Sequence, residues 1–162
     1  ASMWFLARQA ADGTGPVDRL TKNANAHRPE SVTNNGTIVY TEANSPSSAD
    51  ILSLAPGADA GVALVRGPST ERSGEVSPDG RWLAYESNEA GPESEIYVRP
   101  FASAQSARHT VSTGGGTQPV CARDGTELFY LAPNGTLMSV RVKKGDTRAA
   151  APAVEVFPGP SY

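Results

Sequence analysis

Ser77-Pro78-Asp79-Gly80-Arg81-Trp82-Leu83-Ala84-Tyr85 decides how the rest of the chain is read. Asp79 is a short polar residue that can bond its own backbone, and Gly80 is free to take a positive φ. Such a pair between β-rich runs marks a hairpin. Trp82 to Tyr85 is an apolar run of strand length, too short for a helix. The phrase recurs on either side, as Asn34-Asn35-Gly36-Thr37-Ile38-Val39-Tyr40 and as Arg123-Asp124-Gly125-Thr126-Glu127-Leu128-Phe129-Tyr130. Tyr40, Tyr85 and Tyr130 stand 45 residues apart, and Gly36, Gly80 and Gly125 stand 44 and 45 apart. Upstream, Val32, Val76 and Cys121 hold one further slot. Downstream, Ile51 and Ile96 are 45 apart, and Leu137 follows 41 later because the turn Ala132-Pro133-Asn134-Gly135 is tight.

Each unit resolves into four short strands. Glu30–Thr33, Gly74–Ser77 and Pro119–Ala122 precede the glycines. Trp82–Tyr85 and Leu128–Leu131 follow them. Ile51–Leu54, Ile96–Arg99 and Leu137–Val142 come third, and Val62–Val65, His109–Ser112 and Val154–Phe157 supply a weaker outer strand. Nothing shows a sustained 3.6-residue amphipathic pattern with caps. Four antiparallel strands in about 40–50 residues is the spacing of a propeller blade.

Composition agrees. Leu, Ile, Val and Phe make up 29 of the 162 residues, low for a globular chain, but the net charge of −3 is too small for disorder. The same mild acidity argues against non-specific nucleic-acid binding, which needs a basic surface. No apolar run reaches the ~18–20 residues a membrane helix needs. The opening Ala1-Ser2-Met3-Trp4-Phe5-Leu6 has no basic stretch ahead of an apolar one and does not read as a signal peptide. Cys121 is the only cysteine, so neither an intrachain disulfide nor a multi-cysteine metal site is expected.

The run from Ser77 to Tyr85, with Glu95-Ile96-Tyr97-Val98-Arg99-Pro100-Phe101 and Ser112-Thr113-Gly114-Gly115-Gly116-Thr117-Gln118-Pro119 after it, resembles the WD40-like PD40 repeats. These occur in TolB-like β-propellers, in the C-terminal propellers of bacterial serine/threonine protein kinases, and in the propellers of prolyl-oligopeptidase-like enzymes. Met3-Trp4-Phe5-Leu6-Ala7-Arg8 with Arg19-Leu20-Thr21 is similar to the last two strands of an earlier blade. The chain departs from the repeat at Asn34-Asn35-Gly36, where Pro-Asp-Gly is usual, and at Cys121, where an aromatic residue is common. The expected architecture is therefore an all-β partial propeller of about three and a half repeats: residues 1–26 as an outer half-blade, then blades at 27–67, 68–112 and 113–162.

Chemistry-bearing residues all have plainer readings. Cys121 shares a slot with Val32 and Val76 and is expected in the core, not as a nucleophile. His27, in a loop, and His109, in an outer strand, lack partners at ligand spacing and are expected to be solvated. Gly114-Gly115-Gly116-Thr117 could cradle a phosphate, but no Lys-Ser/Thr follows and no helix opens, so an inter-blade loop is expected. Asn35 and Asn134 match a glycosylation pattern and suit turns. Asp79 and Asp124 also read as turn residues, and Glu75, Glu95 and Glu127 as outward strand positions. Arg99, Arg141 and Lys143-Lys144 form at most a local basic edge. No Gly-x-Ser-x-Gly elbow is present.

The reading is a non-catalytic binding or scaffold module, with no catalytic, cofactor or metal residues and an unassigned binding surface. Its expected partner is a protein, peptide or small ligand, with a homodimer or other self-association through the open propeller ends. No nucleic acid and no membrane insertion are expected. The resemblance implies either a kinase-associated sensor domain or a bacterial protein-docking propeller of the periplasm or cell envelope, and leaves the cytoplasm open. The alternatives are a propeller hydrolase or lyase using His27, His109 or inner-strand glutamates at the central mouth, and an assembly fragment without a ligand.

Overall fold

The computed structural model describes residues 4–45, 48–103, 108–142 and 152–159. Among them lie fourteen strands and no helix. The first two, β1 (Ala7–Arg8) and β2 (Asp18–Arg19), pair with each other. Three four-stranded antiparallel meanders follow. The first is β3 (Ala26–Val32), β4 (Ile38–Ser45), β5 (Ser48–Leu54) and β6 (Val62–Val65). The second is β7 (Glu71–Val76), β8 (Trp82–Ser87), β9 (Glu95–Pro100) and β10 (His109–Thr110). The third is β11 (Thr117–Cys121), β12 (Glu127–Leu131), β13 (Leu137–Arg141) and β14 (Val154–Phe157). The chain is a partial β-propeller.

The turns that announce the repeat share one geometry. Gly36, Gly80 and Gly125 have φ of 83°, 70° and 71°. Each donates its N–H to the carbonyl three residues back, at Thr33 (2.9 Å), Ser77 (2.8 Å) and Ala122 (2.9 Å). A side chain at this φ would be strained, which is why glycine holds the position.

Packing follows the same repeat. Tyr40 lies in an apolar cluster with Leu6 of the two-stranded unit. Tyr85 lies with Val39 and Ile51 of the first sheet, and Tyr130 with Ala84, Ile96 and Val98 of the second. Each tyrosine thus faces the sheet before it, and each is at most 4% exposed. The residue that closes each layer from the other side is Leu6, Ile51 or Ile96, again 45 apart and at most 3% exposed. Burying such a side chain stabilises by roughly 1.5–3 kcal/mol, and several meet at each seam. Gly74 lets the first two sheets approach: a Cβ there would stand 2.9 Å from Val39 Cγ1 and 3.1 Å from Ile51 Cγ2.

Polar bonds fasten the seams. Ser31 Oγ donates to the Gly74 carbonyl (2.8 Å) and accepts from the Val76 N–H (3.3 Å). The next seam uses carboxylates: Glu86 accepts from the Gln118 N–H (2.8 Å) and Glu75 from the Cys121 N–H (3.4 Å).

Three expectations are corrected here. His27 is in a strand, not a loop, and is 2% exposed. The glutamates do not simply face outward, since Glu75 and Glu95 are half-buried. Val32 is 65% exposed although Val76, in its slot, is buried, because among the described residues only β1 and β2 precede the first sheet. The stretch Lys143-Lys144 lies outside the described residues.

Candidate functional site

The three inner strands, β3, β7 and β11, start earlier than their apolar residues suggest, because each carries a bulge. Register shifts occur between Pro29 and Ser31, between Arg72 and Glu75, and between Thr117 and Val120. Inside two of these bulges Ser73 and Gln118, 45 residues apart, take φ of 56° and 55°. A non-glycine residue held there costs on the order of 1–3 kcal/mol. Bulges re-aim side chains and recur next to functional sites.

These bulges line a groove of about 210 Å³ that runs across all three sheets, with Arg28, Glu30, Ser73, Glu75, Gln118 and Val120 around it. Glu30 is held by Thr41 Oγ1 (2.8 Å) and stands 3.8 Å from Arg28 Nε. Burial raises the carboxyl of Glu75 above the usual range, against a lowering bond from the Cys121 N–H. Beside the groove Arg72 pairs with the buried Glu86, which also fixes the Gln118 backbone. The result is a polar surface of mixed charge with one apolar edge. A larger cleft, about 320 Å³, lies between the turns at 33–36 and 77–80. Its polar groups are already engaged: Asp79 accepts from Ser77 Oγ (2.7 Å), and Asn34 donates to the Pro78 carbonyl (3.1 Å). The bond from Ser77 holds Asp79 below the usual carboxylate range.

The other candidates have structural partners. His27 Nε2 lies 2.9 Å from Glu42 Oε2 and its Nδ1 lies 2.9 Å from Thr21 Oγ1. Asn23 donates to the same Glu42 oxygen (2.6 Å), and the Leu6 N–H donates to Thr21 (2.9 Å). Burial pushes Glu42 up, but bonds from Asn23, His27 and Asn25 outweigh it and hold the carboxyl below its ordinary value. This buried chain ties the two-stranded unit to the first sheet. His109 sits on the outermost strand of the second sheet, so the structure does not bring the two histidines together. Neither lines the groove.

The glycine loop does cradle an anion, but the anion is part of the protein. Glu95 Oε1 accepts from the Gly114 N–H (3.0 Å) and the Gly115 N–H (2.9 Å), and its other oxygen bonds Ser112 Oγ. Burial, with Glu75 and Asp79 nearby, pushes the Cys121 thiol up to about 12. Arg99 is not part of a basic edge: it is 8% exposed, donates to Tyr85 OH (2.6 Å) and stacks over that ring. Asn35, Asp124 and Asn134 accept from N–H groups two residues on, as turn residues do. Glu127 opens β12 and Arg141 ends β13 as an exposed residue. Among the described residues, no group of three or more His, Cys, Asp or Glu could hold a metal ion.

Solved structures show the same arrangement of sheets. A protein assigned as TolB from Agrobacterium tumefaciens superposes with a TM-score of 0.70 at 16% identity, over 90% of this chain and 55% of that one. The fold is that of the TolB-like propellers. TolB from Acinetobacter baumannii gives 0.68 at 13% identity, over 86% of this chain and 35% of that one. A puromycin-hydrolyzing peptidase of Mycobacterium tuberculosis gives 0.60 at 14% identity, over 89% of this chain and 27% of that one. The chain thus spans about half the length of the first and about a third of the second. No family model matches the sequence, and no curated protein matches it.

Proposed function

We propose that the chain is a non-catalytic binding module, with blades at 27–67, 68–112 and 113–162 behind an outer half-blade at 1–26, and that it recognises a protein or peptide segment along the inner-strand groove. The observation that carries this reading is the convergence of three bulged strands on one groove lined by Arg28, Glu30 and Glu75, of which Glu30 and Glu75 are held by hydrogen bonds from Thr41 and the Cys121 N–H. A mixed-charge, pre-shaped surface suits recognition of an extended polar segment at low ordering cost. The chain also self-associates through its open ends, the outer face of the last sheet foremost. Val120, Val154 and Phe157 are 55–65% exposed on that sheet.

The test is selection from a displayed random-peptide library on the immobilised chain, with Arg28→Ala and Glu75→Gln as counter-targets. Retained peptides should bind the native chain and lose affinity for both variants. Peptides indifferent to both variants would refute the groove. The competing reading, a hydrolase at the central mouth, draws on the likeness to peptidase propellers. Turnover of fluorogenic peptides that Glu75→Gln abolishes would establish it instead.

A further inference from the structure

The charges around the inner-strand groove do not balance. On β3 Arg28 stands 3.8 Å from Glu30, which also accepts from Thr41 Oγ1 (2.8 Å). Beside the groove Arg72 pairs with Glu86. Each of these two cations thus has its acid. Glu75 has no cation: among the described residues its carboxylate accepts only from the Cys121 N–H, at a long 3.4 Å. Glu75 is half-buried on the middle sheet, with a four-stranded sheet on either side. Burial that no opposite charge offsets is what lifts its carboxyl above the ordinary range.

The side chains around Glu75 are equally unengaged. Ser73, two residues before it, and Gln118, in the next bulge, are the non-glycine residues held at positive φ. The Gln118 N–H is fixed by Glu86 (2.8 Å). The Gln118 side-chain amide and the Ser73 hydroxyl, by contrast, bond none of the described residues. Val120 on β11 holds the slot that Glu75 holds on β7, 45 residues earlier, and is 55% exposed. A carboxylate, a hydroxyl, an amide and an apolar side chain thus border one groove without being used by the frame. Backbone strain of this kind clusters at ligand-binding surfaces.

We propose that the ligand of this groove is a basic peptide segment, whose lysine or arginine side chain pairs with Glu75 while a nearby apolar residue rests on Val120 and its backbone bonds Ser73 and Gln118. The assignment rests on the groove being the recognition surface. Adjacent sheets pack about 10 Å apart, so the two side-chain contacts fall about three residues apart along an extended segment. A cation from the ligand offsets the charge that burial leaves on Glu75, whereas an acidic ligand would set a second negative charge beside it. The net charge of −3 attracts the same class of ligand.

The probe is the peptide most enriched by selection on the native chain, resynthesised with a fluorophore, beside a copy in which its basic residue is glutamine. Anisotropy should show about tenfold weaker binding of the glutamine copy to the native chain, and of the basic peptide to Glu75→Gln. Combining the two changes should cost no more than either alone, since each removes the same pair. Additive losses, or no loss in Glu75→Gln, would overturn the proposal. Glu75→Gln keeps an oxygen for the Cys121 N–H. As a second variant, Val120→Lys supplies from the chain the cation the ligand would otherwise bring, at a position already 55% exposed. It should weaken the basic peptide about tenfold more than the glutamine copy; equal weakening would overturn the proposal. Glu155→Gln, exposed on β14, removes the same charge elsewhere and should leave binding unchanged. An equal loss there would reduce the effect to net charge and overturn the proposal. Selected peptides that need the groove but carry no lysine or arginine would overturn it too, and leave the proposed function standing. Peptides indifferent to both Arg28→Ala and Glu75→Gln would sink the proposed function, and this assignment with it.

Discussion

Val32 and Val76 are the same residue type in the same slot of successive repeats, so truncating each to alanine isolates what the seam contributes. Val→Ala removes two methyl groups, worth about 1.6 kcal/mol when fully buried. Val76 is 8% exposed, so nearly all of that is lost, and the cavity left between the sheets adds roughly 1 kcal/mol. Val76→Ala should therefore cost about 2.5 kcal/mol. Val32 is 65% exposed and borders no closed seam, so Val32→Ala should cost about 0.5 kcal/mol. Urea unfolding followed by tyrosine and tryptophan fluorescence measures both. The m-value should stay constant, so that the midpoint shift reports stability alone. Equal costs, or a larger cost at Val32, would refute the idea that each sheet buries its inner slot against the sheet before it.

Burial raises the Glu71 carboxyl, with Ser87 opposing and Asp50 and Glu89 reinforcing, so the folded chain keeps the proton longer than the unfolded one. That contribution is fully present below about pH 4.5, the unfolded value, and is lost as pH rises through the folded value. Glu71→Gln should match the native chain in melting temperature in acid and exceed it at neutral pH; a variant that melts lower at neutral pH would contradict this. Cys121, pushed up to about 12 from 9.0, should react with iodoacetamide at pH 7.5 roughly a hundredfold to a thousandfold slower in the native chain than in urea. Matching rates would contradict the buried slot. Glu95→Ala strips the cradle of Gly114 and Gly115 and should cost about 1–3 kcal/mol by urea unfolding, whereas added phosphate should not stabilise the native chain.

The hairpin corners and the tyrosine period are legible in the sequence because they are local: a short polar residue, a glycine and an apolar run announce themselves within nine residues. The leading strands β1 and β2 are legible through likeness to the last two strands of a repeat and not through such a corner. The bulges are not, since Ser73 and Gln118 carry no residue-type signal for a positive φ. The polar first halves of β3, β7 and β11 hide their true starts, and the groove is hidden with them. His27 reads as solvated because its partners show only once the strands pair: Glu42 stands opposite it on β4, and Thr21 reaches it from the two-stranded unit. The glycine loop is a connection, as its sequence suggests, but the carboxylate it holds comes from Glu95, nearly twenty residues upstream.

Successive sheets stacking through a repeated seam is the claim on which the rest stands, and nuclear Overhauser cross-peaks across the two seams test it most directly. A Cβ on Gly74 would stand 3.1 Å from Ile51 Cγ2, and one on Gly116 would stand 2.8 Å from Ile96 Cγ1. Strong cross-peaks should therefore join the Gly74 α-protons to the Ile51 γ2-methyl and the Gly116 α-protons to the Ile96 γ1-methylene. Their absence, with Ile51 and Ile96 instead sharing one set of neighbours, would contradict the stacked-sheet account.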